Sequence, residues 1–148
     1  MDFGQILPVV GTACLPLWEL KGAIPTGLIL GLPLWETFLL AYIGSILPVP
    51  LILRFTQPVM ARLRRTKQLK RFAHWVEART MRKSSTIRKY SLVGLFIFVA
   101  IPLPTTGVWS GALLASFFGL KLWPSFLMII AGNLIAGLLV LVISYGIF

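Results

Sequence analysis

Gly31-Leu32-Pro33-Leu34-Trp35-Glu36-Thr37-Phe38-Leu39 returns 88 positions later as Gly119-Leu120-Lys121-Leu122-Trp123-Pro124-Ser125-Phe126-Leu127, and Gly44 is matched by Gly132 at the same spacing. Over residues 31–47 seven of seventeen positions are identical. Leu and Gly are common in this chain and raise chance matches, but the shared Gly-Leu-x-Leu-Trp is harder to attribute to composition. Each copy lies between an apolar segment interrupted by proline and glycine and an uninterrupted apolar one. Upstream, Thr26-Gly27 can be laid on Ser110-Gly111 after a short gap. The chain reads as an internal repeat whose unit is one broken segment plus one long helix.

The composition puts these segments in a bilayer. Of 148 residues 57% are hydrophobic and 12% charged, with a mean hydropathy of +0.90. Soluble domains run at roughly 45–50% apolar and about 25% charged. A single integral membrane domain is expected over 1–148, with no cleavable signal at its Met1-Asp2 start. Cys14, the one cysteine, reads as a small packing residue.

Fourteen Lys and Arg stand against four acids, and twelve of the fourteen lie between Arg54 and Lys89. A basic protein often binds nucleic acid, but this block sits between two hydrophobic halves. Basic loops of membrane proteins stay in the cytoplasm, which places 54–90 there. Val59, Leu63, Leu69, Phe72 and Val76 make a loose helical stripe. It predicts either a cationic helix lying on anionic lipid or a solvated linker that sets topology. His74 lies in this block and is given no role.

A spanning helix needs about 20 apolar residues. Residues 37–53 and 122–148 each fit one span, with Pro48 and Pro50 expected to kink or end the former. Residues 3–34 are interrupted at Pro16, Glu19, Gly22, Pro25 and Gly27, and residues 92–120 at Pro102, Pro104, Gly107 and Gly111. Each is too long for one helix and short for two. Re-entrant helical hairpins fit, provided that protein or water covers the broken backbone. With 54–90 inside, the first long helix runs inward and the last outward. The expected fold is therefore all-α, with two inverted repeats (1–53 and 91–148) joined by a basic amphipathic helix over 54–90. Inverted repeats with broken helices meeting at the midplane are a transporter plan. Trp35 and Trp123 would anchor at the interfaces, with Glu36 beside the former.

Enzyme chemistry lacks its parts here: there is no Cys/His cluster for zinc, no Ser-His-acid set and no GxxxxGK loop. No cofactor or metal is expected. Glu19 is the sharpest candidate, because an ionisable group at membrane depth is costly and marks ion or proton pathways. Lys21 could neutralise it or meet an anionic substrate. The opposing view makes 3–18 a short span and puts both residues in a surface loop. In the second broken segment Pro102 and Pro104 stop the incoming helix. Thr105 or Thr106 could cap the outgoing one, whose free amides would bind an anion. Gly107 and Gly111 let backbones approach, for binding or for packing. Trp109 lines a cavity or fills the core, and Asn133 is expected to hydrogen-bond across helices.

Glu19-Leu20-Lys21-Gly22-Ala23-Ile24-Pro25-Thr26-Gly27 and Ile101-Pro102-Leu103-Pro104-Thr105-Thr106-Gly107-Val108-Trp109-Ser110-Gly111 resemble, in order, two signature stretches of the small multidrug export protein family. The resemblance covers nearly the whole chain. That family is more distantly similar to the DedA/VTT superfamily. The latter resemblance implies two opposed re-entrant hairpins and movement of lipids, including polyprenyl phosphate carriers, with proton coupling. It puts Glu19 in the place of the acidic residue of the first hairpin. The chain departs from DedA proteins in lacking arginines: no charge lies between Lys89 and Lys121.

The expectation is a transporter of an amphiphilic substrate in the cell membrane, with membrane lipids as partners and a homodimer possible. Glu19 would couple transport. The substrate site would draw on Lys21, Pro25, Gly27, Pro104, Thr105, Thr106, Gly107 and Ser110. Lipid-linked phosphate is the first substrate class and lipophilic cations the second. A non-transporting scaffold acting through Arg62, Arg64 and Arg65 is the alternative from another class.

Overall fold

Pro16 withholds a main-chain donor, and the first broken segment is interrupted there alone, over residues 15–18. The computed structural model describes residues 3–63, 65–68, 70–71, 84–104 and 106–147. In it α1 (Phe3–Cys14) stops before this break and α2 (Glu19–Ile29) starts after it. Gly31, at φ 78°, turns the chain out of α2 in the left-handed conformation that glycine adopts without cost. The Gly31 N–H donates to Leu28 O at 3.0 Å and the Leu32 N–H to Gly27 O at 3.0 Å. There follow α3 (Leu34–Ile46), α4 (Val49–Leu63), α5 (Ser84–Ala100), a second break over 101–107, α6 (Val108–Phe117) and α7 (Leu122–Ile147). Every described element is a helix.

Two stretches are long and apolar enough to cross a membrane, Leu34–Val59 and Leu122–Gly146, and only 33% of each is buried within the protein. The rest of their apolar surface faces outward. So do Leu17 (80% exposed), Val142 (71%) and Tyr145 (73%), where a soluble protein would place polar residues. The other helices are shorter. At 1.5 Å per residue, α1, α2 and α6, with 12, 11 and 10 residues, reach only about 15–18 Å of a hydrocarbon layer roughly 30 Å thick.

Two apolar clusters hold the helices. Val9, Ala13, Leu20, Ala23, Ile24, Phe38 and Ala41 join α1, α2 and α3, with Leu141 of α7. Val49 and Leu53 of α4 pack with Leu95 and Val99 of α5, Val108, Ala112 and Ala115 of α6, and Ile129 of α7. Small residues set the closest approaches. A Cβ on Gly44 would lie 2.9 Å from Ala13 Cβ and 3.3 Å from Val10 Cα, and one on Gly132 would lie 2.9 Å from Val99 Cβ and 2.7 Å from Phe96 O. Asn133 Nδ2 donates to Ser45 Oγ at 2.7 Å, and the Tyr42 hydroxyl donates to Ile130 O at 3.2 Å. The expected cross-helix bond of Asn133 is thus present, made between α7 and α3.

Several boundaries differ from the sequence reading. The expected interruption at Pro48 and Pro50 is present, since α3 ends at Ile46, but the helix does not stop there or at Leu53 and runs on to Leu63. The chain bends at 47–48 and resumes as α4, because Pro50 falls in the first turn, where its missing N–H has no intrahelical partner. Residues 54–63 and 84–90 are accordingly helical and continuous with the apolar segments, while 64, 69 and 72–83 of the expected linker helix lie outside the described residues. Arg62 and Arg65 are exposed, whereas Arg64, Leu69, Phe72, His74 and Val76 lie outside the described residues. Gly22, Pro25 and Gly27 are inside α2, not in the break. Thr26-Gly27 and Ser110-Gly111 are not matched in position either. The former sit in the last turn of α2 and the latter in the first turn of α6.

Candidate functional site

Glu19 opens α2 at φ 45°, the only described non-glycine residue with positive φ. That conformation costs an L-residue roughly 1–2 kcal/mol, and strain of this kind is held where the surroundings dictate it. Here they do: the residue is 5% exposed, and its side chain is turned into the second break. Glu19 Oε1 accepts the main-chain N–H of Trp109 at 3.0 Å. The carboxylate thus satisfies a free amide of the first turn of α6 and meets the positive end of its dipole. Gly107 makes the room, since a Cβ there would overlap the Glu19 carboxylate. Its φ of 167° is extended backbone open to any residue. Space, not conformation, is what demands glycine.

The two breaks are tied further. Trp109 Nε1 donates to Cys14 O, the last carbonyl of α1, at 3.1 Å. In the opposite direction the Lys21 ammonium donates to Leu103 O and Thr106 O. The Thr106 hydroxyl accepts the Leu103 N–H at 3.0 Å and is in reach of Ile101 O. It therefore stitches its own loop and does not cap α6. The capping position belongs to Gly107, and the acceptor comes from Glu19 across the junction. The amides expected to receive a substrate anion are met by the chain's own carboxylate.

Glu19, Lys21, Thr106 and Gly107 are thus brought together. Ser110 lies beside them, its hydroxyl 3.4 Å from Gly107 O, and Pro104 is exposed on the second break. Pro25 and Gly27 are elsewhere on α2. Gly27 is eight residues from Glu19, about 12 Å along the helix, and a Cβ on it would overlap Thr37 of α3. It is a packing position. Thr105 lies outside the described residues.

Two features escaped the sequence. Trp109 is more than a lining residue, because both of its N–H groups join the breaks. An open apolar groove of about 370 Å³ between α4 and α6 also ends on Trp109. Its α4 side, Leu51, Phe55 and Val59, repeats every four residues, a signal visible in the sequence but obscured by the charges around it. Among the described residues no three His, Cys, Asp or Glu side chains gather, so none there is arranged to hold a metal ion.

No curated protein and no solved structure shows significant similarity to the chain. Together with the two long apolar helices, a family match makes this an α-helical membrane protein. The profile of the family described as "Putative small multi-drug export protein" matches residues 19–139, from the Glu19 junction through most of α7, and the chain belongs to that family.

Proposed function

We propose that the chain is a small membrane exporter of lipophilic cations, built from two inverted repeats and coupled through Glu19. The observation that carries this reading is the buried Glu19 carboxylate between the two breaks. Such a group is costly in a membrane and is retained where it meets an ion or a proton. Its neighbours point the same way. The carbonyls of Cys14, Leu103 and Thr106 all face the junction as acceptors. Leu103 O and Thr106 O accept from the Lys21 ammonium and Cys14 O from Trp109 Nε1, so the junction already holds one positive charge beside the carboxylate, and a substrate cation would have to displace Lys21 from it.

In the proposed cycle Glu19 holds either a proton or the substrate cation. A proton removes the charge from its bond to the Trp109 N–H, and charge-assisted bonds are roughly twice as strong as neutral ones. The contact between α2 and the α6 terminus then loosens. An arriving cation takes the place of the proton, and exchange of one for the other drives export. No covalent chemistry is involved.

The proposed architecture is two re-entrant hairpins, α1–α2 and α5–α6, each followed by a spanning helix. The short lengths of α1, α2 and α6 support it. So do the matched turns at Gly31 and Gly119 and the matched seats of Gly44 and Gly132. The excess of Lys and Arg over 54–89 favours a cytoplasmic location for that segment.

Lipid-linked phosphate remains a second reading, favoured by one feature: if Glu19 withdraws, the α6 amides are free for an anion. Proteoliposomes separate the two. The exporter reading expects wild type to move tetraphenylphosphonium across the vesicle membrane and Glu19→Gln to lose at least tenfold in rate. Movement of a polyprenyl phosphate without movement of the cation would reverse the assignment. Equal activity of Glu19→Gln would remove the carboxylate from the mechanism.

A further inference from the structure

Lys21 holds a cation at the junction before any substrate arrives. It sits in the first turn of α2, half-buried, two residues after Glu19. Its ammonium donates to Leu103 O and Thr106 O, both in the second break. Pro102 and Pro104 supply no main-chain N–H there, and these carbonyls take a donor from the other half of the chain. Leu103 O also accepts the Thr106 N–H at 3.2 Å, and the Thr106 hydroxyl joins the Leu103 N–H to Ile101 O. The ammonium therefore rests on a closed turn. The Glu19 carboxylate adds a Coulombic attraction. Two carbonyls and a carboxylate make a seat for a cation that donates hydrogen bonds. A primary ammonium has three N–H donors, and a quaternary cation has none.

We infer that the exported cations are protonated amines, and that Lys21 sets this specificity as a tethered ammonium, which keeps the seat on Leu103 O and Thr106 O until a substrate ammonium displaces it. The inference rests on the exporter reading and narrows its substrate class. An incoming primary ammonium replaces the Lys21 bonds one for one, so neither carbonyl is left bare. A quaternary cation brings the charge without the bonds, and unpaired buried acceptors are costly. Sites built on hydrogen bonds reject analogues that lack them far more strongly than analogues that differ in bulk. Ile101 and Leu103 are 46% and 52% exposed, so the apolar part of an amine can stay at the outer edge of the break while its ammonium reaches the carbonyls. As the substrate leaves, the flexible stem of Lys21 returns its own ammonium to the seat.

The test removes the tether and offers back the missing fragment, using the full chain in neutral detergent at neutral pH. Lys21→Ala is expected to unfold at a lower temperature than wild type. n-Propylammonium, the fragment removed, is expected to restore at least half of the lost midpoint without shifting wild type. n-Propyltrimethylammonium, of equal charge and without N–H, is expected to restore none of it. In equilibrium dialysis wild type is expected to bind benzylammonium at least tenfold more tightly than benzyltrimethylammonium. Lys21→Met keeps the stem, folds without the demands of Lys21→Ala, and is expected to bind benzylammonium at least fivefold more tightly than wild type, because the competitor is gone. A merely structural role for Lys21 would weaken that binding, and weaker binding by Lys21→Met overturns the tether. If the quaternary cations rescue and bind within twofold of the primary ones, the seat reads charge alone and the inference is overturned while the exporter reading stands. If no amine rescues or binds, the inference falls, and movement of tetraphenylphosphonium by wild type decides separately whether the exporter reading survives it.

Discussion

The helix pairs α2–α3 and α6–α7 are joined by the same turn, closed on Gly31 at φ 78° and on Gly119 at φ 64°. Its main-chain bonds fall at matching positions 88 residues apart: Leu32 N to Gly27 O at 3.0 Å, and Leu120 N to Ala115 O at 2.9 Å. The seats of Gly44 and Gly132 match as well, but the helices they rest on are offset by 86, Val10 and Ala13 against Phe96 and Val99. The spacing grows by two between α1 and α2 on one side and α5 and α6 on the other. The second break, 101–107, is three residues longer than the first, 15–18; two come from this change of offset and one from α6 starting at Val108, past the counterpart of Glu19. At the point where the count recovers, Glu19 stands opposite Gly107, its own counterpart at 88. One is buried and left-handed, the other extended and bare. The turns are alike and the residues at the junction are not, because the Glu19 carboxylate fills the space that a side chain at 107 would need.

Gly107→Ala breaks that arrangement most severely. Overpacking typically costs about 1–3 kcal/mol, and here the carboxylate must also leave its amide. A loss near 3 kcal/mol and a transport rate down more than tenfold are expected. Thermal unfolding in detergent checks the first. In a Glu19→Ala background the same substitution should cost less than about 1 kcal/mol, and an undiminished cost would mean that the carboxylate is not what fills the space.

Copying one half onto the other sharpens the comparison. Where the first half has Gly27 against Thr37, the second has Ala115 and Ser125, both buried. Gly27→Ala alone is expected to cost about 1–3 kcal/mol by overpacking. Adding Thr37→Ser, which removes the methyl group in the way, should recover most of it. Recovery by less than half would show that the two packings are not equivalent. The smallest effect belongs to Ser45 and Asn133, whose bond links positions 88 apart. Hydrogen bonds of this kind in membranes average about 0.6 kcal/mol. A double-mutant cycle of Ser45→Ala and Asn133→Ala should return a coupling of that order.

Much of the fold is legible in the residues. Composition alone gives an α-helical membrane protein, and Gly-Leu-x-Leu-Trp marks both turns out of the broken segments. Glu19 stands out because few charges occupy apolar runs. Other features are not legible for physical reasons. Pro25 and Gly27 look like breakers, yet a helix packed on its neighbours tolerates both. Pro48 and Pro50 do interrupt the helix after Ile46, as a kink or end was expected to, but Pro50 lands in a first turn and the helix resumes. The charge rule tells which side of the membrane a segment occupies and not where its helix stops, so α4 was hidden beyond Leu53. Gly107 is required by a carboxylate 88 positions away, and the groove is shared by α4 and α6. Such demands leave no mark in local sequence.

The central claim is that Glu19 exchanges a proton for a substrate cation between the two breaks. Vesicles loaded with a pH-sensitive dye and given tetraphenylphosphonium on one side test it directly. Wild type should move protons opposite to the cation, and Glu19→Gln should move neither. Cation movement without proton movement in wild type, or unchanged proton movement in Glu19→Gln, would contradict it.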